Sequence, residues 1–164
     1  MGFVSRHLTE IEQCVLRPAD FSLSEEQQAL RDVVRTFLAK QCPSERVRAA
    51  EPLGFDADLW DEMRELRLVA VGVPVAHGGD GAGLVELALV AEELGRAAAP
   101  VPFVDVAVAA RVFARLGTDE ATVWRNRCLD GGRVALAWGS ADGDGRVLVP
   151  SGAVAHAVDR KSVV

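Results

Sequence analysis

Tyrosine is absent from the 164 residues, phenylalanine and tryptophan are few, and cysteine occurs only three times. Cys14, Cys42 and Cys128 are odd in number and far apart, with no CxxC and no Cys/His ligand spacing. Neither a disulfide framework nor a zinc site is therefore suggested, and a reducing cytoplasm fits best. A positive excess is also lacking: 18 basic residues stand against 24 acidic ones, for a formal net charge of −6. That balance carries no footprint for nucleic acid or anionic lipid. No apolar run of membrane-spanning length occurs, because Glu92, Glu93, Arg96, Asp105 and Arg111 interrupt the most apolar region. Charges in "MGFVSRHLTEIEQCVLRPAD" also break the apolar core that a signal peptide needs.

What is present is the mixture of a soluble globular chain, 49% hydrophobic and 26% charged, and most of it carries helical patterning. After a weakly patterned lead-in over residues 1–20, Ser22 with Glu25, or Ser24 with Gln27, has capping-box spacing. Leu30, Val33, Val34, Phe37 and Leu38 then form one apolar stripe, and Pro43 ends the segment. Ser44 can cap a short second helix to about Glu51. Asp56 or Asp58 opens a third, with Leu59, Trp60, Met63 and Leu66 on one face. "LVAVGVPVAHGGDGAG" reads as a loop with sharp glycine turns. A fourth helix from Leu84 to about Arg96 is apolar on most faces and expected to be central. A fifth from Val104 to Leu116 is expected to be buried and closed by Gly117 at C′. Thr118 caps a sixth, stopped by Asp130, Gly131 and Gly132.

The period then turns strand-like. "RVALAWG" and "GRVLVP" are short β candidates separated by the turn "SADGDG". The fold class is therefore mainly α: a helical domain over residues 21–130, followed by an incomplete β segment over residues 131–158, since two or three strands alone are marginal in water.

The residues from Asp20 to Gly132 resemble the N-terminal helical domain of the acyl-CoA dehydrogenases. The resemblance rests on "DFSLSEEQQALRDVVRTFLA", on "GFDADLWDEMRELRLVAVGVPVAHGGDGAGLVELALVAEELGRAAAPVPF" and on "LGTDEATVWRNRCLDGG". It implies an FAD flavoprotein of fatty-acid and lipid catabolism that desaturates an acyl-CoA thioester to the trans-2-enoyl-CoA. Electrons would leave to an electron-transfer flavoprotein, and the subunits would form homo- or hetero-oligomers. The resemblance places the carboxylate base in a C-terminal helical domain, so no catalytic residue is assigned here. Pro102, Phe103 and Val106 fall where the family lines its acyl cavity, with an ordinary core role at about even odds. Trp138, Gly139 and Ser140 occupy the place of the family's Thr-Glu-Pro and Gly-Ser-Asp segment. With Pro150 and Ser151 on the later strand, they are the cofactor-binding candidates, against plain sheet and turn roles. His156 stands where the family usually has Asp. Departures of this kind also occur in non-catalytic subunits of heteromeric dehydrogenases, so a partner subunit or helical interaction domain is the second functional class.

Other chemistry-bearing residues have plainer readings. His77 is expected to be a solvated loop histidine, and "GGDGAG" a tight turn rather than a phosphate cradle, because a preceding βαβ unit is missing. Glu92 and Glu93 read as a solvated edge or salt-bridge face, and Cys128 as a small core residue. Residues 159–164, "DRKSVV", can be encoded by a common sequencing adapter read in frame, and are expected to be a non-native tail.

Overall fold

The computed structural model describes residues 21–137, 143–144 and 146–159. The lead-in 1–20 and residues 160–164 lie outside the described residues.

The first helix, α1 (Glu25–Gln41), starts at Ser24. The Gln27 amide donates to Ser24 Oγ at 3.2 Å and the Ser24 amide to Gln27 Oε1 at 3.0 Å, so the second of the two possible capping boxes forms. Val34 and Leu38 are buried and α1 packs on α4 (Leu84–Arg96). Val33, expected in the apolar stripe, is instead 58% exposed, because the neighbouring helix covers only the side of α1 that carries Val34 and Leu38. The short α2 (Ser44–Ala49) leads to α3 (Ala57–Glu65), capped by Asp56, whose Oδ1 accepts from the Leu59 amide at 2.8 Å.

The expected loop after α3 holds two 3-10 segments, Leu68–Gly72 and Val75–His77. Leu68 to Gly72 are all buried. Their apolar character comes from lying inside the molecule, and the Arg111 guanidinium of α5 (Phe103–Leu116) donates to Gly72 O at 2.6 Å. The glycine stretch then folds back on this segment: Asp80, Gly81 and Ala82 amides donate to Ala70, Val73 and Val71 carbonyls at 2.9–3.0 Å. A Cβ on Gly79 would sit 2.0 Å from Val73 O, so only glycine permits the approach.

The central helix is α5, which packs on α4, the Leu68–Gly72 segment, α6 (Asp119–Leu129) and the sheet. Its Val106, Ala109 and Ala110 are fully buried. α4 is less central than its composition implies. Leu84 and Val85 are 64% and 51% exposed, while Leu87, Val90 and Leu94 face the core. Gly117 ends α5 at φ +65°, as its C′ position requires, and the Ala121 amide donates to Thr118 Oγ1 at 3.1 Å to open α6.

The β candidates are half corrected. β1 (Val134–Leu136) lies within the first, but its partner is β2 (Ala157–Asp159), with Val134 opposite Ala157 in parallel register. Residues 146–150 of the second candidate carry no strand. Leu148 there is 88% exposed, so its alternating pattern has no sheet face to lie on. The sequence "SGAVAHAV" instead forms a 3-10 turn at Gly152–Val154 before β2, whose pairing runs through Asp159.

Candidate functional site

Between α4 and α5 the chain reverses over residues 97–102. Leu94 O accepts from the Ala99 amide and Pro100 O from the Asp56 amide, each at 2.9 Å. Ala98 takes φ +48° in this turn, a left-handed conformation that costs an L-residue energy. The turn delivers Pro102 as the N-cap of α5 and Phe103 as its first residue.

Facing it is the segment through Pro150 and Ser151. The Gly152 amide donates to Val149 O at 3.0 Å and the Val154 amide to Ser151 O at 3.2 Å. Arg133 holds the segment to the helical body: its Nε donates to Val154 O at 2.7 Å, while its guanidinium lies 4.5 Å from the Phe55 ring centroid.

The two walls bound a cleft of about 370 Å³. Pro102, Phe103, Pro150 and Ser151 all line it, so two candidate groups 47 residues apart in sequence share one site. Ala91, Leu94 and Gly95 of α4 supply an aliphatic wall, and Asp105 is its one charged lining residue. A smaller hollow of about 90 Å³ continues past Leu53 and Gly54 along the same Pro102 and Ser151 walls. Val106 does not line either space; it is fully buried behind Phe103, one helical turn on. Trp138, Gly139 and Ser140 lie outside the described residues. The contributions of Gly95 and Ala91 had no sequence signal, because small residues on an apolar helix read as ordinary packing.

Other candidates are structural. His77 is half-buried, with Nδ1 3.1 Å from Arg125 Nη1, and Asp80 pairs with Arg67 at 3.2 Å. Amides of the "GGDGAG" turn are spent on protein carbonyls and, at Gly83, on the Glu86 carboxylate, which removes the donors a phosphate cradle would need. Glu92 pairs with Arg96 at 2.5 Å on the surface, whereas Glu93 is buried and takes two hydrogen bonds from Arg35. Cys128 is fully buried, and burial pushes its thiol up to about 12. Among the described residues no group of three His, Cys, Asp or Glu side chains could hold a metal ion, and no helix is long and apolar enough to cross a membrane.

Among the described residues, six helices lead into a parallel strand pair, and the cleft lies between α4, the start of α5 and the segment that precedes β2. Residues 24–123 match the family model "Acyl-CoA dehydrogenase, N-terminal domain". The chain belongs to the acyl-CoA dehydrogenase family. It is similar to acyl-CoA dehydrogenase IpdE2 of Mycolicibacterium smegmatis, 36% identical over 60% of this chain and 32% of that protein. It is also similar to acyl-CoA dehydrogenase FadE12 of Mycobacterium tuberculosis, 34% identical over 61% of this chain and 26% of that protein. A chain in the crystal structure of the ChsE4-ChsE5 complex from Mycobacterium tuberculosis superposes with a TM-score of 0.69 at 31% identity, covering 77% of this chain and 36% of that one. The chain thus spans about a third or less of the length of the curated relatives named here.

Proposed function

We propose that the chain is the N-terminal part of an FAD-dependent acyl-CoA dehydrogenase that introduces an α,β double bond into an acyl-CoA thioester in the cytoplasm and passes electrons to an electron-transfer flavoprotein. On this reading residues 21–130 are the helical domain and 131–158 the start of a middle β domain. The observation that carries the proposal is the convergence of Pro102 and Phe103 with Pro150 and Ser151 on one aliphatic cleft.

The lining suits both groups that the reaction brings together. Its walls are apolar apart from the Ser151 hydroxyl and Asp105, which fits a saturated acyl chain on one side and a planar ring on the other. FAD, when bound, supplies the acceptor for a hydride from the substrate β-carbon. Pro150 and Ser151 would flank that ring, with Trp138, Gly139 and Ser140 completing its contacts. Pro102 and Phe103 would bound the acyl chain and exclude water from it, and Val106 would support Phe103 from behind. The base that removes the α-proton would come from outside this chain.

A heteromeric assembly is the second reading, supported by the similar chain in a complex of two named proteins, ChsE4 and ChsE5. In that case this chain would belong to a subunit that keeps the fold without the chemistry. The two are separated by purifying the full-length protein that contains this chain. A yellow protein whose visible flavin band bleaches on adding acyl-CoA is the expected result. Protein that stays colourless with added FAD, yet pairs with a flavoprotein subunit, would establish the second reading.

A further inference from the structure

The two walls of the Pro102 cleft are held in different ways. Pro102 and Phe103 are buried, and Phe103 belongs to the main apolar core. The opposite wall has no such support: among residues 146–156 no side chain is buried. Hydrogen bonds there close turns within the stretch, from the Gly152 amide to Val149 O, from the Val154 amide to Ser151 O and from the Ala155 amide to Gly152 O. Among the described residues a single hydrogen bond reaches residues 149–155 from elsewhere in the chain, donated by Arg133 Nε to Val154 O.

The backbone of Arg133 makes the next fixing point. Its carbonyl accepts from the His156 amide at 2.7 Å, and its amide donates to His156 Nδ1 at 3.2 Å, at the entry to β2. One residue therefore secures this wall at Val154 and again at His156. Local turn bonds then carry the position of Val154 back to Ser151.

The Arg133 side chain also ends against the support of the other wall. Its guanidinium lies 4.5 Å from the Phe55 ring centroid. The next residue, Asp56, donates its amide to Pro100 O at 2.9 Å, two residues before Pro102, and two hydrogen bonds from Arg46 hold its carboxylate. Phe55 is thus tied to the turn that presents Pro102 and Phe103. The small hollow between the walls is lined by Val154 and by Leu53 and Gly54, which precede Phe55.

We propose that Arg133 is a positioning residue: it sets the spacing of Pro150 and Ser151 from Pro102 and Phe103, and so the fit of the acyl chain between them. The role rests on reading this cleft as the acyl-CoA site. A guanidinium suits the task because its flat face packs on an aromatic ring while its edge donates to a carbonyl, and both contacts hold at once. An ammonium is a point charge and gives up one of them.

Arg133→Met in the full-length protein tests this with two measurements: amide exchange by mass spectrometry, and kcat and KM for acyl-CoA. Exchange should quicken in peptides covering residues 147–156 and stay unchanged over 84–116, which shows that the helical body is intact. KM should rise about fivefold or more while kcat changes little, the split expected when substrate fit rather than chemistry is lost. Phe55→Leu, which keeps an apolar side chain and removes the ring, should act in the same direction and serves where Arg133→Met does not fold. Arg133→Lys should lie between Arg133→Met and the unaltered protein. Arg48→Gln, an exposed arginine on α2, is the control and should change neither measurement. Unchanged exchange or unchanged KM in Arg133→Met and Phe55→Leu, with the unaltered protein active, would overturn the positioning role and leave the cleft reading standing. An unaltered protein that does not oxidise acyl-CoA would instead overturn that reading, and the role in substrate fit with it.

Discussion

Arg35 on α1 and Glu93 on α4 are joined by two hydrogen bonds, Nη2 to Oε1 at 2.7 Å and Nε to Oε2 at 3.0 Å. Glu93 is 3% exposed while Arg35 is half in solvent, so the pair lets a carboxylate sit in the α1/α4 contact without being left unpaired. A buried carboxylate with its partner removed keeps its desolvation cost. Arg35→Met should therefore lower unfolding stability even though Arg96 stays 3.7 Å from Glu93, and the double variant with Glu93→Leu should recover part of the loss. Urea unfolding of both variants measures this. Equal losses would show that the pair is not coupled.

Three carboxylates make the fold sensitive to acid. Hydrogen bonds from Arg46 hold Asp56 below its ordinary range, Gln27 does the same for Glu86, and Arg35 for Glu93. A carboxyl whose folded value is depressed adds stability above its unfolded value, and that stability is lost as pH falls through the folded one. Stability should hold level near neutrality and fall below about pH 5. Asp56→Asn should give a shallower fall, read from urea midpoints across pH. A curve parallel to that of the unaltered chain would contradict the assignment.

Ala98 borders the Pro102 cleft with φ +48°, and a Cβ in that region is strained by roughly 1–2 kcal/mol. Glycine there costs about 0.5–1 kcal/mol in added chain entropy. Ala98→Gly should therefore stabilise the chain slightly, and Ala98→Val should destabilise it. Thermal unfolding of the two variants reads the sign directly.

The helices were legible because each carries its own signals. Asp56, Thr118 and Gly117 sit at caps that the chain writes in single residues, and Pro43 and Gly131 stop what precedes them. Burial was less legible, since it depends on neighbours far away in sequence. Val33 reads as core but faces solvent, and Val69 and Val71 read as loop but are buried. The second β candidate was misplaced for the same reason. "RVLVP" and "AHAV" alternate equally well, and only the long-range pairing of Arg133 O with the His156 amide selects the second. At the cleft, Pro102, Phe103, Pro150 and Ser151 were named through the family resemblance, whereas Gly95 marks empty space and so leaves no trace in a residue pattern.

That empty space allows the most direct test. A Cβ built on Gly95 meets nothing within 4 Å, and the residue lines the cleft from α4, so Gly95→Phe can fill the α4 side of the cleft, away from Pro150 and Ser151, without displacing the core. In the full-length protein this variant should keep its flavin and thermal midpoint but lose the bleaching of the flavin band by acyl-CoA. Bleaching at unchanged acyl-CoA concentration would show that the substrate does not use this cleft, and would contradict the functional reading.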